Sequence, residues 1–472
     1  MKTSIRPPAV AGRFYAATAG RLEKELEELF RQSEPRRCDN VRAVISPHAG
    51  YIFSGSVAAS AFNQVDSEEK YERIFVIGSS HHVHFEGAAV YTEGDFRTPL
   101  GHVTVDVDCC RQLVSDYPGL FISDSLAHRD EHSIEVQLPF LQYVLKDNFT
   151  IVPIVIGTAR ADVCKRIAEV LAPFMRKENL FVISSDFSHY PQYKDAIKVD
   201  TATKDAILSN DSDVLLKTLE SHDSRKIPGL ATGLCGWTSV LTLLYMTTGN
   251  HSIQYTAIDY KNSGDTREYG EKDQVVGYWA IAVSEQEFSF TSEEQAMLLD
   301  MARKGVEAAV LGSKDSAFRD RQEYPKSLHR RCGAFVTLYQ NKKLRGCIGR
   351  MTSDIPLYKL VREMAVAAAL YDDRFYPVGK DDLKDLDIEI TLLSPLMPVT
   401  DVKQIELGKH GILIEGRGRS GVFLPQVATE TGWTLEEFLG HCSRDKAGLG
   451  WEGWKTARLY VFTGKILHGD AS

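Results

Sequence analysis

Four short runs of β-branched and aromatic residues constrain this chain more than any other feature. They are V-R-A-V-I-S from Val41, R-I-F-V-I-G from Arg73, T-I-V-P-I-V-I-G from Thr150 and L-F-V-I-S-S-D from Leu180. Each is continuously apolar rather than alternating, which is the pattern of a strand buried on both faces. Between them, Ser133 to Asp147 and Asp162 to Lys177 carry apolar residues at the helical period. Strands alternating with helices predict an α/β fold with a mostly parallel central sheet, and such sheets bind ligands beyond the carboxyl ends of their strands. Several polar motifs of the first half sit just after such a run.

A chain of 472 residues is too long for one ordinary core, and two domains are expected. The formal charge of −9 falls essentially all before about residue 286, and the remainder is near neutral. At that point comes Ser-Glu-Gln-Glu-Phe-Ser-Phe-Thr-Ser-Glu-Glu, a polar stretch that also signals a helix start, with the helix running from near Thr291 to Leu311. The expected division is residues 1–285 and 290–472, with the linker near Glu287. Beyond it, strand candidates at Gly333 to Gln340, Leu386 to Leu393, Gly411 to Leu413 and Ala457 to Phe462 mix with helices at Tyr358 to Leu370 and Thr434 to Cys442. That is an α+β pattern.

Composition excludes several classes. An acidic balance with no Lys/Arg stripe argues against nucleic acid, because phosphate binding needs clustered cations. The run from Ile227 to Ile258 lacks Asp, Glu, Lys and Arg, but Thr, Gly, Asn and His interrupt it, so it reads as a buried helix followed by a strand rather than a membrane span. Met1 to Pro8 has no apolar signal core, so a cytoplasmic protein is expected. The eight cysteines form no C-x-x-C pair and read as free thiols of a reducing compartment.

Chemistry-bearing residues cluster in five motifs of the first half. Ser46-Pro-His-Ala-Gly-Tyr51 and Gly78-Ser-Ser-His-His-Val-His84 put histidines at two strand ends. One such histidine alone is more often a core or surface residue; two in one sheet make a metal site an equal reading. In Ser184-Ser-Asp-Phe-Ser-His-Tyr190, Asp186 and His189 would share a face if a helix opens there, or Asp186 is simply an N-cap. Cys235, in Gly233-Leu-Cys-Gly-Trp237, stands at an expected helix start whose positive end favours a thiolate, unless it is an inert buried thiol. The segment His128-Arg-Asp-Glu-His-Ser-Ile-Glu135 offers His132 and Glu135 to orient a ligand; Asp130, Glu131 and Glu135 read equally well as capping or solvated charges.

R-P-P-A-V-A-G-R-F-Y, S-P-H-A-G-Y-I-F-S-G, G-S-S-H-H-V-H, D-E-H-S-I-E-V-Q-L-P-F, S-S-D-F-S-H-Y and G-L-C-G-W together resemble the Memo family, also called AmmeMemoRadiSam system protein B, over about residues 5 to 284. The resemblance implies a fold similar to class III extradiol dioxygenases. It also implies a metal held by His48, His81 and Cys235, with Asp186 and His189 lining the same cavity. His82, His132 and Glu135 are expected around it. Two histidines and one anion suit Fe(II) with positions left open, and a thiolate makes copper the alternative. His189 matches the acid/base histidine of the dioxygenases, which would deprotonate a phenolic or enolic substrate.

In the second half, Leu344-Arg-Gly-Cys-Ile-Gly349 follows a strand and a turn and reads as the returning arm of a hairpin. On a regular strand Arg345 would share a face with Cys347 and activate it, and the flanking glycines would admit another group. Glu389 is a further candidate partner; the plainer reading of Cys347 is structural. L-R-G-C-I-G, G-V-F-L-P-Q-V and K-A-G-L resemble the AMMECR domain, AmmeMemoRadiSam system protein A, over about residues 290 to 468. The pairing implies a partner, a separate radical S-adenosylmethionine protein, because this chain has no cysteine triad for an iron-sulfur cluster.

Three functions follow. The first is a metal-dependent, dioxygenase-like redox enzyme acting on a small aromatic or enolic molecule. The second is a cysteine-dependent hydrolase or transferase centred on Cys347. The third is a non-catalytic metal-binding scaffold.

Overall fold

The computed structural model describes residues 4–146, 149–224, 226–250, 252–267, 270–286, 288–312, 324–399 and 402–468. The chain divides into two compact units, Met1–Gln286 and Glu287–Ser472. Glu287, where the linker was expected, lies outside the described residues.

In the first unit the four apolar runs are strands. They are β1 (Val41–Ser46), β2 (Arg73–Ser79), β4 (Thr150–Ile156) and β5 (Asn179–Ser184), with β3 (Gly101–Val105) before β4. Every residue of β5 is buried, and so is all but the first of β2 and of β4, as continuous apolar runs require. The order β3-β4-β2-β5-β1 is parallel throughout. Next to β1 come β7 (Gly277–Glu285) and then β6 (Ile253–Asn262), both antiparallel to their neighbours, while Ser4–Arg6, Gly94–Thr98 and two short strands extend the other side. The eleven-stranded sheet is therefore mixed: a parallel centre, two antiparallel strands on one side, and both parallel and antiparallel pairs on the other. Most flanking strands are only three to five residues long, and β6 is only partly buried, with Gln254 exposed, so no continuous run announces them; β7 is the exception, nine residues long and almost wholly buried.

Helices α1 (Tyr51–Phe62), α2 (Leu138–Leu145), α3 (Ala161–Leu171), α4 (Tyr193–Leu208) and α5 (Trp237–Thr247) belong to this unit. Ser133 to Asp147 is not one helix. A turn at His132–Glu135 precedes α2, and Pro139 opens the new helix where its missing N–H costs nothing. α5 and β6 are the buried helix and strand of the charge-free run; among the described residues no helix is long and apolar enough to cross a membrane.

The second unit has a seven-stranded antiparallel sheet. Its main order is β9 (Lys343–Arg350), β8 (Ala334–Gln340), β10 (Leu386–Leu393), β13 (Arg458–His468), β11 (His410–Gly416) and β12 (Arg419–Phe423). Helix α6 (Ser292–Leu311) starts on a capping box between Thr291 and Glu294, and with α7 (Leu357–Leu370) it covers one face of the first half of the sheet. A second core gathers Ile412, Ile414, Phe423, Phe438 and Val461.

Candidate metal centre

β2, β5 and β1 are neighbours and parallel, so their carboxyl ends open on one edge of the sheet. The chain leaves β1 into His48, β2 into His81 and β5 into Asp186 and His189. Cys235 arrives from elsewhere, two residues before α5. Donor atoms of His48, His81 and Cys235 all lie within 4.8 Å of one another, and the same holds for Asp186, His189 and Cys235, and for His81, Glu131 and His132.

His48 is buried. Its Nδ1 meets Ser184 Oγ at 2.9 Å, which leaves Nε2 facing Cys235 Sγ at 3.2 Å. Burial, then the neighbouring His81 and His132, push its pKa well down, so it is neutral and able to ligate. Asp186 lies in a loop, not on a helix: Oδ1 accepts the His48 amide at 2.7 Å, and Oδ2 lies 3.9 Å from His48 Nε2 and 4.0 Å from His189 Nε2. The loop itself brings Asp186 and His189 together. Burial raises the Asp186 carboxyl to about 7 against the His48 amide, and burial then His81 lower His189 to about 4. Among the described residues none hydrogen-bonds the buried Nε2 of His189.

The helix end expected to favour a Cys235 thiolate does not outweigh burial. Burial, then the Asp186 charge, raise the thiol well above its ordinary range and outweigh the Asp186 N–H that points at Sγ from 3.2 Å. A cation between two neutral imidazoles and this sulfur would reverse that balance, because a coordinating thiol loses its proton. The donor set therefore fits a metal.

Glu131 is the carboxylate that sequence reasoning passed over. Its Oε1 accepts from His81 Nδ1 at 2.9 Å and from the Ser133 amide at 2.9 Å, and its Oε2 accepts the His81 amide at 2.8 Å. Burial favours the neutral acid, but the hydrogen bonds and the charge of His81 hold Glu131 far below the usual carboxylate range. For His81 the same pair outweighs burial and raises the pKa. A ring whose Nδ1–H is held by a carboxylate presents Nε2 to a metal. The signal in the sequence was D-E-H directly before a helical turn, where a carboxylate that orients a ligand stood level with a capping or solvated charge; Glu131 is also a cap, through Ser133.

His132 packs with its ring 4.6 Å from that of His81 and is lowered to about 4 by burial, then by His81. His82 is exposed, its ring 6.3 Å from His132. Glu135 faces away from these rings: buried and ion-paired to Arg6 at 2.7 Å, it also accepts from Tyr15 Oη and the amides of Ala9 and Val10, and so pins the N-terminal segment.

In the second unit Cys347, Thr337 and Glu389 stand in one row across β9, β8 and β10, and Thr337 Oγ1 donates to Cys347 Sγ at 3.3 Å. Arg345 is absent from that row. A bulge makes it the unpaired residue of β9, and its guanidinium bonds Tyr376 O, Pro377 O and Asp382. Gly346 is no opening either, because a Cβ there would overlap the carbonyl of Ala368 in α7. Glu389 Oε2 lies 3.4 Å from His468 Nδ1.

The Memo-like protein family matches residues 6–282, and the AMMECR1 family matches residues 299–467. A MEMO1 family protein of Aeropyrum pernix is 36% identical over 292 residues, which is 59% of this chain and 99% of that protein. One of Methanosarcina mazei is 33% identical over 283 residues, 59% of this chain and 99% of its own length. Among solved structures, an uncharacterized protein of Pyrococcus horikoshii is 31% identical over 38% of this chain and 92% of its own, with a TM-score of 0.34. With a Memo-like match that spans more than half of its length, this chain belongs to the Memo-like family and carries an AMMECR1 domain behind it.

Proposed function

We propose that residues 1–285 hold a non-haem iron centre of dioxygenase-like type, akin to class III extradiol dioxygenases, that works on a small aromatic or enolic molecule. Copper is the alternative metal. The observation that carries this reading is the convergence of His48, His81 and Cys235, with all donor atoms within 4.8 Å. Bound there, Fe(II) would supply a redox couple and open positions for substrate and oxygen.

The chain's own groups do the remaining work. Glu131 fixes the His81 tautomer and Ser184 fixes that of His48, so both rings offer Nε2. The Asp186 amide donates to Cys235 Sγ and steadies the anionic sulfur. His189 Nε2 receives the proton of a phenolic or enolic hydroxyl, and Asp186 Oδ2, 4.0 Å away, compensates the imidazolium that forms. The AMMECR1 domain on the same chain supports a place in a system with a separate radical S-adenosylmethionine protein. Metal analysis of protein purified without chelator, with a substrate screen run both aerobically and anaerobically, tests the reading. A chain that carries no redox-active metal, or that turns over phenols equally without oxygen, would sink it.

A further inference from the structure

His189 sits in a stretch with neither helix nor strand, yet its proposed role needs a fixed ring. The backbone amides of residues 186–190 show what fixes it. Asp186 N–H goes to Cys235 Sγ at 3.2 Å, Phe187 N–H to Gly277 O at 2.8 Å, His189 N–H to Thr232 O at 3.0 Å and Tyr190 N–H to Val275 O at 2.7 Å. The central amide, Ser188 N–H, is the one given to a carboxylate: Asp200 Oδ1 of α4 accepts it at 2.9 Å.

Asp200 is fully buried and is held in turn, since its Oδ2 accepts the Tyr260 hydroxyl at 2.7 Å. Gly277 packs so closely that a Cβ there would overlap the Asp200 carboxylate, while its own N–H and C=O bond the backbone of Ser188 and Phe187. Tyr190, directly after His189, has a left-handed backbone (φ 69°), a strained conformation that persists only where its surroundings over-determine it. A buried carboxylate is costly to keep unless such bonds satisfy it.

We infer that Asp200 is a positioning residue for His189: from a helix that contributes no metal ligand, it anchors the loop through the Ser188 amide and aims the His189 ring into the cavity, with Tyr260 setting the carboxylate. This rests on the proton-transfer role proposed above for His189. Asp200→Asn keeps an oxygen for the Ser188 amide, and the Tyr260 hydroxyl can turn from donor to acceptor, so Asn should rescue what Ala loses.

The test uses the full-length, metal-loaded chain and two readouts. Carbethoxylation of each histidine by diethyl pyrocarbonate, resolved by peptide mass spectrometry, reports the His189 ring without reference to any reaction. In Asp200→Ala the His189 rate should change by at least about fivefold, the factor of one lost net hydrogen bond, while exposed His102 stays constant and Asp200→Asn stays near wild type. The second readout is the absorbance of bound 4-nitrocatechol, which shows whether the probe has lost its proton; Ala should weaken that ionisation and Asn restore it. An unchanged His189 rate in Asp200→Ala, or a rise shared by all histidines, overturns the positioning role. A wild-type protein that never ionises nitrocatechol overturns the acid/base reading instead, and the carbethoxylation rates still decide on Asp200.

Discussion

Replacing Glu131 by Gln should weaken metal binding without unfolding the chain. The carboxylate takes His81 Nδ1–H at 2.9 Å and the His81 amide at 2.8 Å, one on each oxygen. A carboxamide has one acceptor oxygen and two N–H donors of nearly the same shape. If its NH2 faces Nδ1, the ring must become an acceptor there, its proton moves to Nε2, and Nε2 can no longer ligate. If the NH2 faces the amide instead, two donors oppose each other and the His81 loop loses an anchor. Either orientation harms the ligand.

Loss of such an outer partner costs about 10- to 100-fold in metal affinity, or roughly 1.4 to 2.7 kcal/mol. The same substitution also disturbs the bond to Ser133, at about 1 to 3 kcal/mol, which a unit of this size survives. Competition titration of Co(II) against a chromophoric chelator measures the affinity, with Asp130→Asn as the exposed neighbouring control. Unchanged affinity in a folded Glu131→Gln, within about twofold of wild type, would refute the tautomer argument.

Other outcomes follow from the same geometry. Simultaneous replacement of His48, His81 and Cys235 by Ala should abolish iron or copper loading by plasma emission analysis, and full loading would show the ligands are elsewhere. Burial raises the Asp200 carboxyl to about 6 from the ordinary 3.8, so the folded state holds its proton more tightly than the unfolded chain. Wild type should therefore gain stability over Asp200→Asn as pH falls from about 7 toward 4, by roughly 2 to 3 kcal/mol, in denaturant melts at each pH. Cutting the chain near residue 287 should give two pieces that each melt cooperatively in calorimetry, whereas an unfolded C-terminal piece would place the boundary wrongly. Among Cys332, Cys347 and Cys442, Cys347 should alkylate fastest, because burial lifts the other two thiols to about 12. Arg345→Ala should leave that rate unchanged within about twofold, and a larger slowing would contradict the position of its guanidinium.

The first unit was legible in the sequence where burial was complete. Continuous runs of strand length such as N-L-F-V-I-S read as central strands, and once three of them are parallel neighbours, the residues after them must share an edge. The sequence alone places His48, His81, Asp186 and His189 at strand ends; the strand order is what puts those ends side by side. Strand ends do not point to residues that reach the cavity from helical turns. Glu131 and Glu135 are four apart in one acidic segment, and composition cannot say which one faces His81. The turn between them decides it: Glu131 caps its start through the Ser133 amide and stays beside the His81 ring, while Glu135 at its end meets Arg6 and Tyr15. Asp200 was invisible for a related reason: a single acidic residue inside a helix looks like a solvated charge until β6 and β7 are laid against it.

The second unit shows how one extra residue redirects a motif. Alternation along L-R-G-C-I-G would put Arg345 and Cys347 on one face, but the ladder runs Leu338 opposite Gly346 and Tyr339 opposite Leu344, which leaves Arg345 unpaired. A glycine within a strand signals either a bulge or a close approach. Here both meet, since Gly346 lies against α7 and the bulge stands directly before it. The cation that does reach Cys347 comes from Y-D-D-R-F: Asp372 Oδ2 accepts the Cys347 amide at 2.8 Å, and Arg374 Nη2 donates to its carbonyl at 3.0 Å. Because β9 is an edge strand, these two side chains occupy hydrogen-bonding groups that would otherwise be open to another strand. The backbone around the thiol is thereby held from both sides, and Sγ is left to Thr337 and the face that carries Glu389.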